Sequence, residues 1–178
     1  MIEILIYVAI ALAIVVAALL AYAARKPDTF RIQYATGINA PAERIFPLIA
    51  NLKSMNTWNP FVEPDPAIKI AYSDPDSGKG AAHTWSGNSK VGEGRIEITD
   101  AAPSSRVAMQ LDMLKPMKAR NAVEFTLRPN GHGTTVTWAM SGRRPLMVKL
   151  MSVFIDCDKM VGKEFEKGLG KLKAIAEG

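Results

Sequence analysis

Residues 91–141 read VGEGRIEITDAAPSSRVAMQLDMLKPMKARNAVEFTLRPNGHGTTVTWAMS, and the fold follows from this stretch. Apolar and polar residues alternate along it with the period of two that is typical of half-buried strands. Segments containing Gly, Pro, Asn or Ser separate the runs, and such residues close hairpins. The pattern predicts an antiparallel meander with strands over 91–101, 106–114, 117–128 and 134–141.

The predicted sheet has one apolar face. Its members fall at alternate positions of successive strands, and they are Ile96, Ile98, Val107, Met109, Leu111, Met113, Val123, Phe125, Leu127, Val136, Trp138 and Met140. Residues of the opposite parity are charged, as at Glu97, Asp112 and Glu124. An antiparallel sheet with one dry face needs a cover.

The C-terminal stretch 145–176 is the expected cover. Its apolar residues recur at steps of three and four, which predicts one long amphipathic helix. Any bend is expected near the three glycines of this stretch, Gly162, Gly168 and Gly170, because glycine lowers helix propensity.

Upstream of the meander the chain predicts three strands and a short helix. Alternation at even positions indicates a strand over 28–39, and prolines with a turn cluster leave room only for a short strand at 67–72 before the next strand, 81–88. A helix begins after residue 40, with Asn39 as its candidate cap and Pro41 in its first turn.

The N-terminal residues 4–24 read ILIYVAIALAIVVAALLAYAA and contain no charge. These 21 residues would span about 30 Å as a helix, enough for one bilayer crossing. Arg25 and Lys26 end the segment, and no basic residue precedes it, so the positive-inside rule predicts a cytoplasmic domain after the helix. We therefore expect a single-pass membrane helix with its basic flank at 1–26 and one domain at 27–178.

A cleaved signal peptide is the alternative interpretation of this segment. The Ala21-Tyr22-Ala23 triplet fits a cleavage site. The N-terminus, however, offers only Glu3 where a signal peptide carries basic residues, and the apolar stretch is longer than a signal peptide requires.

Composition narrows the possible functions. The 178 residues carry a net charge of +5, and no basic stretch is interleaved with aromatic residues, so we expect no nucleic-acid partner. One cysteine, Cys157, and two histidines, His83 and His132, give no metal-binding pattern. The sequence also lacks phosphate-binding loops and nucleophile motifs, so it predicts no cofactor and no catalytic constellation.

Five short motifs go beyond the order of elements: NAPAERIF at 39–46, WNPF at 58–61, VGEG at 91–94, GTTVTW at 133–138 and FEKGL at 165–169. With them, residues 30–176 resemble the polyketide cyclase/dehydrase and lipid-transport group of the SRPBCC, or START-like, superfamily. The resemblance implies an α+β helix-grip fold of the START-like or Bet v 1-like kind, in which a curved antiparallel sheet wraps around a long C-terminal helix. It also implies a cavity for a hydrophobic ligand between sheet and helix.

The candidate cavity residues come from the dry face of the sheet, the helix and the loops: Trp58, His83, Trp85, Met109, Met113, Asn121, Trp138, Met140, Met147, Met151 and Phe154. The methionines suit an irregular ligand surface, and they equally suit an ordinary core. Trp138 is read as core, and Trp58 as either a cavity flank or a plug at the helix-loop corner. Cys157 should be a buried, unreactive thiol.

Two polar members of this set have a structural and a functional interpretation. His83 shares the parity of Trp85, so it could orient a ligand carbonyl or act as a base, or bond to nearby backbone. Asn121 is the polar member of an inward-facing series, and its amide needs a partner in protein, water or ligand.

Three functions are compatible with these patterns. The first is a membrane-anchored binding or transfer module for a hydrophobic small molecule or lipid. The second is a polyketide cyclase/dehydratase-like enzyme that uses His83. The third is a membrane-bound interaction or stress-response module with a vestigial pocket, binding through Arg143, Arg144 and the lysines of the last helix.

Overall fold

The computed structural model describes residues 1–178, apart from the side chain of Phe154. The elements in chain order are α1 (Ile2–Arg25), β1 (Thr29–Ile38), α2 (Ala42–Ala50), α3 (Leu52–Met55), β2 (Lys69–Tyr72), β3 (Ala82–Ser86), β4 (Glu93–Ala102), β5 (Arg106–Lys115), β6 (Ala119–Asn130), β7 (Gly133–Arg143), α4 (Leu146–Phe154) and α5 (Cys157–Glu177).

The strands form one seven-stranded sheet in the order β1-β7-β6-β5-β4-β3-β2. Every pairing from β2 to β7 is antiparallel between neighbours in sequence, so the predicted meander is confirmed. Register shifts at Glu93/Gly94 and Ile98/Asp100 place irregularities in β4. Such bulges bend a strand and increase its twist, which gives the sheet its curvature.

The chain divides into two compact units. The first comprises residues 1–30 and 143–157, and the second comprises residues 31–142 and 158–178. The first unit holds α1 and α4. The second holds nearly all of the sheet together with α2, α3 and α5.

The core of the second unit joins the dry face of the sheet to α2 and α5. Its fully buried side chains come from all three elements: Ile45, Ile49, Ile98, Val107, Phe125, Phe165, Leu169 and Leu172. Each such side chain contributes about 1.5–3 kcal/mol relative to full exposure. The alternation read from the sequence is therefore the alternation that forms the core.

Helix α5 contacts the sheet through an aromatic stack. The ring of Trp138 on β7 lies parallel to that of Phe165 on α5, with centroids 4.2 Å apart and planes 10° apart. Gly168 makes this approach possible, since an added Cβ would lie 2.8 Å from Trp138 Cζ3 and 2.9 Å from Pro60 Cδ.

The single helix predicted for 145–176 is two helices. Ile155 adopts extended backbone angles (φ −129°, ψ 124°) and ends α4. Asp156, a residue type favoured at N-caps, precedes α5. The bend expected at the glycines does not occur there, because Gly162, Gly168 and Gly170 all lie inside the continuous α5.

The predicted cap of the first short helix is also corrected. Helix α2 begins at Ala42 after Pro41, with no side-chain cap, and the backbone N–H of Asn39 donates to Glu177 Oε1 at 2.7 Å. This hydrogen bond lowers the pKa of the Glu177 carboxyl.

The first unit is built from α1, the residues that follow it, and α4. The 24-residue α1 is long and apolar enough to cross a membrane, by its length and composition. Helix α4 packs against α1. The Lys26 ammonium donates to the carbonyl and hydroxyl oxygens of Ser152 at 2.8 and 3.0 Å, and Lys149 donates to Asp28 Oδ1 at 2.5 Å.

Two glycines of α5 provide a matched test of the packing against Trp138. Gly168→Ala should lower the free energy of unfolding by about 1–3 kcal/mol, because the indole and the proline ring cannot yield easily. Gly162→Ala should raise it by up to about 1 kcal/mol, because nothing lies within 4 Å of the added carbon and alanine favours helix. Urea unfolding of the full chain in detergent, followed by tryptophan fluorescence, measures both, and equal effects would contradict the packing described.

Candidate functional site

A cavity of about 290 Å³ lies inside the second unit, between the dry face of the sheet, the 55–68 segment and α5. It is lined by Met55, Asn59, Phe61, Val62, Ile68, His83, Trp85, Lys90, Val91, Ile96, Met109, Leu111, Met113, Asn121, Val123, Phe125, Trp138, Met140, Val161 and Phe165. The lining is mostly aliphatic, thioether and aromatic. Among the described lining residues one is charged, Lys90, and none is a carboxylate.

An aromatic cluster forms one wall of the cavity. Besides its stack on Phe165, Trp138 meets Phe61 edge-on, with ring centroids 6.0 Å apart, and Phe125 at 5.0 Å. Trp58 packs behind this wall, edge-on to both Phe125 and Trp138. Edge and offset contacts of this kind add to area burial and make the wall rigid.

The two tryptophans of this cluster differ in their indole N–H groups. Trp58 Nε1 donates to the carbonyl of Leu48 at 2.9 Å. Trp138 Nε1 is buried and has no hydrogen-bond partner among the described residues. A buried N–H without a partner is rare in native proteins, so Trp138 offers an unused donor in the wall of the cavity.

His83 on β3 lines the cavity and is 4% exposed. Its Nε2 lies 3.4 Å from the side-chain nitrogen of Asn56, while its Nδ1 is buried with no hydrogen bond of normal geometry among the described residues. Burial lowers the pKa of the imidazole to about 4, which outweighs the opposing effect of the Thr84 backbone. The ring is therefore neutral at pH 7.

The hydrogen bonds of His83 indicate where its single proton lies. When Nε2 accepts from the Asn56 amide, the neutral ring carries its proton on Nδ1. In that tautomer His83 Nδ1 is a second buried N–H, which forms no hydrogen bond of normal geometry among the described residues, although the Thr84 backbone interacts with the ring and opposes the fall of its pKa. The Asn121 amide lines the same cavity from β6.

Trp85 is held over β4 by a glycine in the adjacent strand. Trp85 pairs with Gly94, and a Cβ at that position would lie 2.5 Å from the indole ring. The Trp85 N–H faces the carbonyl of Val91 at 3.4 Å. Gly94, the second glycine of the VGEG motif, thus leaves room for the Trp85 ring beside the cavity.

Seven of the predicted cavity residues line this cavity: His83, Trp85, Met109, Met113, Asn121, Trp138 and Met140. Trp58 is 1% exposed and buried behind the wall, as a plug rather than a flank. Met147 and Met151 do not line it, because the helix break at Ile155 assigns them to α4 in the first unit, where they are 62% and 42% exposed. The side chain of Phe154 lies outside the described part of the chain.

Several lining residues were not predicted. Met55 ends the short helix α3, and Asn59, Phe61, Val62 and Ile68 come from the irregular segment between α3 and β2, which has no periodicity to place a side chain. Asn56, the partner of His83, lies in the same segment. The WNPF turn within it was the available signal, because a buried Trp beside an Asn and a Phe marks a structured loop.

Comparison with known families places the chain. The model of the family described as polyketide cyclase / dehydrase and lipid transport matches residues 29–177. The chain belongs to this family, and the whole cavity lies within the matched range. No curated protein matches the chain.

Solved structures show the same fold at low sequence identity. A protein from Chromobacterium violaceum, CV1439, is 14% identical with a TM-score of 0.60, and the match covers 86% of this chain and 99% of that one. The Aha1 dimer from Colwellia psychrerythraea is 18% identical with a TM-score of 0.59, covering 83% and 96%. Ara h 8.0201 is 9% identical with a TM-score of 0.55, covering 82% and 99%. These likenesses establish the Bet v 1-like helix-grip fold.

The low pKa of His83 predicts an acid-dependent loss of stability. The unfolded imidazole takes up a proton near pH 6.5, whereas the folded one does so only near pH 4. Stability is therefore retained above pH 6.5 and lost as the pH falls toward 4, by about 2–3 kcal/mol at pH 4.5. Urea unfolding of the full chain in detergent at pH 7 and pH 4.5 measures this loss.

The two histidines provide the comparison. Between pH 7 and pH 4.5, the His83→Gln variant should lose about 2–3 kcal/mol less of its free energy of unfolding than the wild-type chain loses. His132→Gln should keep the wild-type loss, because His132 is exposed on the turn between β6 and β7. Equal losses in the His83 variant and the wild-type chain would show that His83 is not held neutral by burial.

Proposed function

We propose that this chain is a membrane-tethered binding or transfer module for a hydrophobic small molecule or lipid that carries a hydrogen-bond acceptor. The observation that carries the proposal is an apolar cavity lined by Trp138 and His83, whose buried ring atoms Trp138 Nε1 and His83 Nδ1 have no hydrogen bond of normal geometry among the described residues. The family description, which includes lipid transport, supports the same class of ligand.

The unused donors argue for a specific kind of ligand. Leaving a buried donor unpaired costs about 1–3 kcal/mol, and a ligand acceptor would recover that free energy on binding. A carbonyl, ester or ether oxygen meets this need without bringing a charge into an apolar site. A pure hydrocarbon would fill the space and leave both donors unpaired.

The volume of the cavity and the charge of its lining further restrict the class of ligand. A volume of about 290 Å³ is at the lower end of the range for small-molecule sites, so the cavity suits a compact molecule or one part of a lipid. The methionines Met55, Met109, Met113 and Met140 adapt to irregular shapes. Lys90 is exposed at the cavity and could attract an acidic group at the entrance.

The low pKa of His83 favours binding over a cyclase or dehydratase reaction. An imidazole with a pKa of about 4 is neutral at pH 7 and is a weak base, whereas a general base works best with a pKa near the working pH. Its neutral Nδ1–H is suited to orienting an acceptor. An open cavity also supports ligand binding over an interaction module with a filled pocket.

The tether in this proposal is residues 1–26, with residues 27–178 as the helix-grip domain. Helix α4 packs against α1, yet apart from Ala23 the side chains of α1 are not buried by the described residues, and a bilayer would take this apolar surface out of water. Arg25 and Lys26 follow it, and by the positive-inside rule this flank supports a cytoplasmic location for the domain. The tether would hold the cavity within reach of the bilayer.

Matched probes test the acceptor requirement. α-Tetralone and tetralin share a ring system and differ by one carbonyl. We expect the full chain in lipid nanodiscs to bind α-tetralone roughly five- to tenfold more tightly, as one recovered hydrogen bond provides. Isothermal titration with empty nanodiscs as the blank measures both affinities, and equal affinities would contradict the proposal.

Variants at two tryptophans assign the effect to the cavity. Trp138→Phe should reduce the preference for α-tetralone, and combining it with His83→Phe should abolish it, because no unpaired donor remains. Trp58→Phe is the control, since it removes a donor that already has a partner outside the cavity. It should lower stability by about 1 kcal/mol and keep the preference.

The topology has its own test. Protease added to sealed, right-side-out membrane vesicles from producing cells should leave residues 27–178 intact, and inside-out vesicles should expose them to cleavage. Cleavage in right-side-out vesicles would reverse the proposed orientation. A soluble, shortened chain would show that the apolar segment is removed as a signal peptide.

A further inference from the structure

A helix on a surface that faces water usually exposes its charged residues and buries its apolar ones. Helix α4 does the reverse. Its sequence, LMVKLMSVF, contains one charged residue, Lys149, and that residue is 4% exposed. The apolar residues Leu146, Met147 and Met151 are 42–62% exposed. Ile155, which ends the helix, is 47% exposed.

The two faces of α4 are distinct. Lys149 and Ser152 stand three residues apart on one face, and both contact the residues that follow α1: Lys149 bonds to Asp28, and Ser152 bonds to Lys26. Met147 and Met151 stand four residues apart on the opposite face. The polar groups of α4 thus bind within the unit, and the apolar face is left outside.

The contact at Asp28 makes this arrangement specific. Besides its ion pair with Lys149, the Asp28 carbonyl accepts from the Arg144 backbone N–H at 2.6 Å. The hydrogen bond and charge of Lys149 hold the pKa of the Asp28 carboxyl below its ordinary value. The start of α4 is therefore fixed to the residue that lies three positions beyond the end of α1.

We propose that α4 lies in the surface of the same bilayer that α1 crosses, with Leu146, Met147, Met151 and Ile155 among lipid acyl chains. This inference rests on the membrane tether of the proposed function. Helix α4 packs against α1, and both helices leave large apolar side chains exposed. Arg25, Lys26 and Arg143 belong to the same unit and suit anionic headgroups at that depth.

A depth probe in vesicles tests this placement. The chain has one cysteine, so Cys157→Ser provides a background for single labels with an environment-sensitive NBD fluorophore. The labelled positions are Met147→Cys and Met151→Cys on α4, Leu12→Cys within α1, and Arg128→Cys at an exposed position of β6. The full chain is reconstituted in phosphatidylcholine and phosphatidylglycerol vesicles, and urea unfolding of each labelled chain confirms that the fold is kept.

The expected result is a blue-shifted NBD emission at 147 and 151 that nitroxide lipids quench, most strongly with the nitroxide near the headgroup. Leu12→Cys should respond to deep nitroxides, and Arg128→Cys should report water. If the NBD emission at Leu12→Cys shows a lipid environment while the emission at 147 and 151 shows water, the placement of α4 is wrong and the membrane tether is still supported.

Two further outcomes also decide the question. If Leu12→Cys also reports water, the tether itself fails. Blue-shifted emission at 147 and 151 that no lipid-borne nitroxide quenches would mean that protein, such as a second copy of the chain, covers α4, and this would overturn the lipid assignment.

Discussion

The stack of Trp138 on Phe165 is the contact on which the rest of the second unit depends. It fixes α5 against β7 at a ring separation of 4.2 Å, and the missing side chain at Gly168 permits that distance. Trp58 and Phe61 add edge contacts to the same indole. Leu169 and Leu172 of α5 are buried in the same core, and the cavity lies beside the stack, lined by Trp138 and Phe165 themselves.

Trp138 contributes both to the stability of the second unit and to the proposed binding site. The ring of Trp138 packs against other aromatic rings, while its N–H has no hydrogen-bond partner among the described residues. His83 repeats the arrangement: its Nε2 has the Asn56 amide, its Nδ1 has no partner of normal geometry among the described residues, and burial keeps the ring neutral with a pKa of about 4. A ligand acceptor that reaches either ring nitrogen would form a hydrogen bond that the empty chain lacks, which is the physical basis of the proposed ligand class.

Periodicity predicted the fold well because alternation and helical spacing are consequences of burial. The dry-face series from Ile96 to Met140 forms the core, and eight of its twelve members line the cavity. Periodicity could not locate the break at Ile155, because apolar spacing continues across it, and so Met147 and Met151 were assigned to the wrong surface. It also could not reveal which N–H groups lack partners, since that depends on distances such as those around Asn56 and Leu48.

The proposed function requires the cavity to hold an apolar molecule with an acceptor oxygen. Native mass spectrometry of the full chain, purified from producing cells in a mild detergent, with extraction and identification of whatever is released, tests it most directly. We expect one small, oxygen-bearing apolar molecule per chain, reduced in the Trp138→Phe variant and retained in Trp58→Phe. A chain that is empty on purification, and that takes up no lipid or ketone when these are offered, would contradict it.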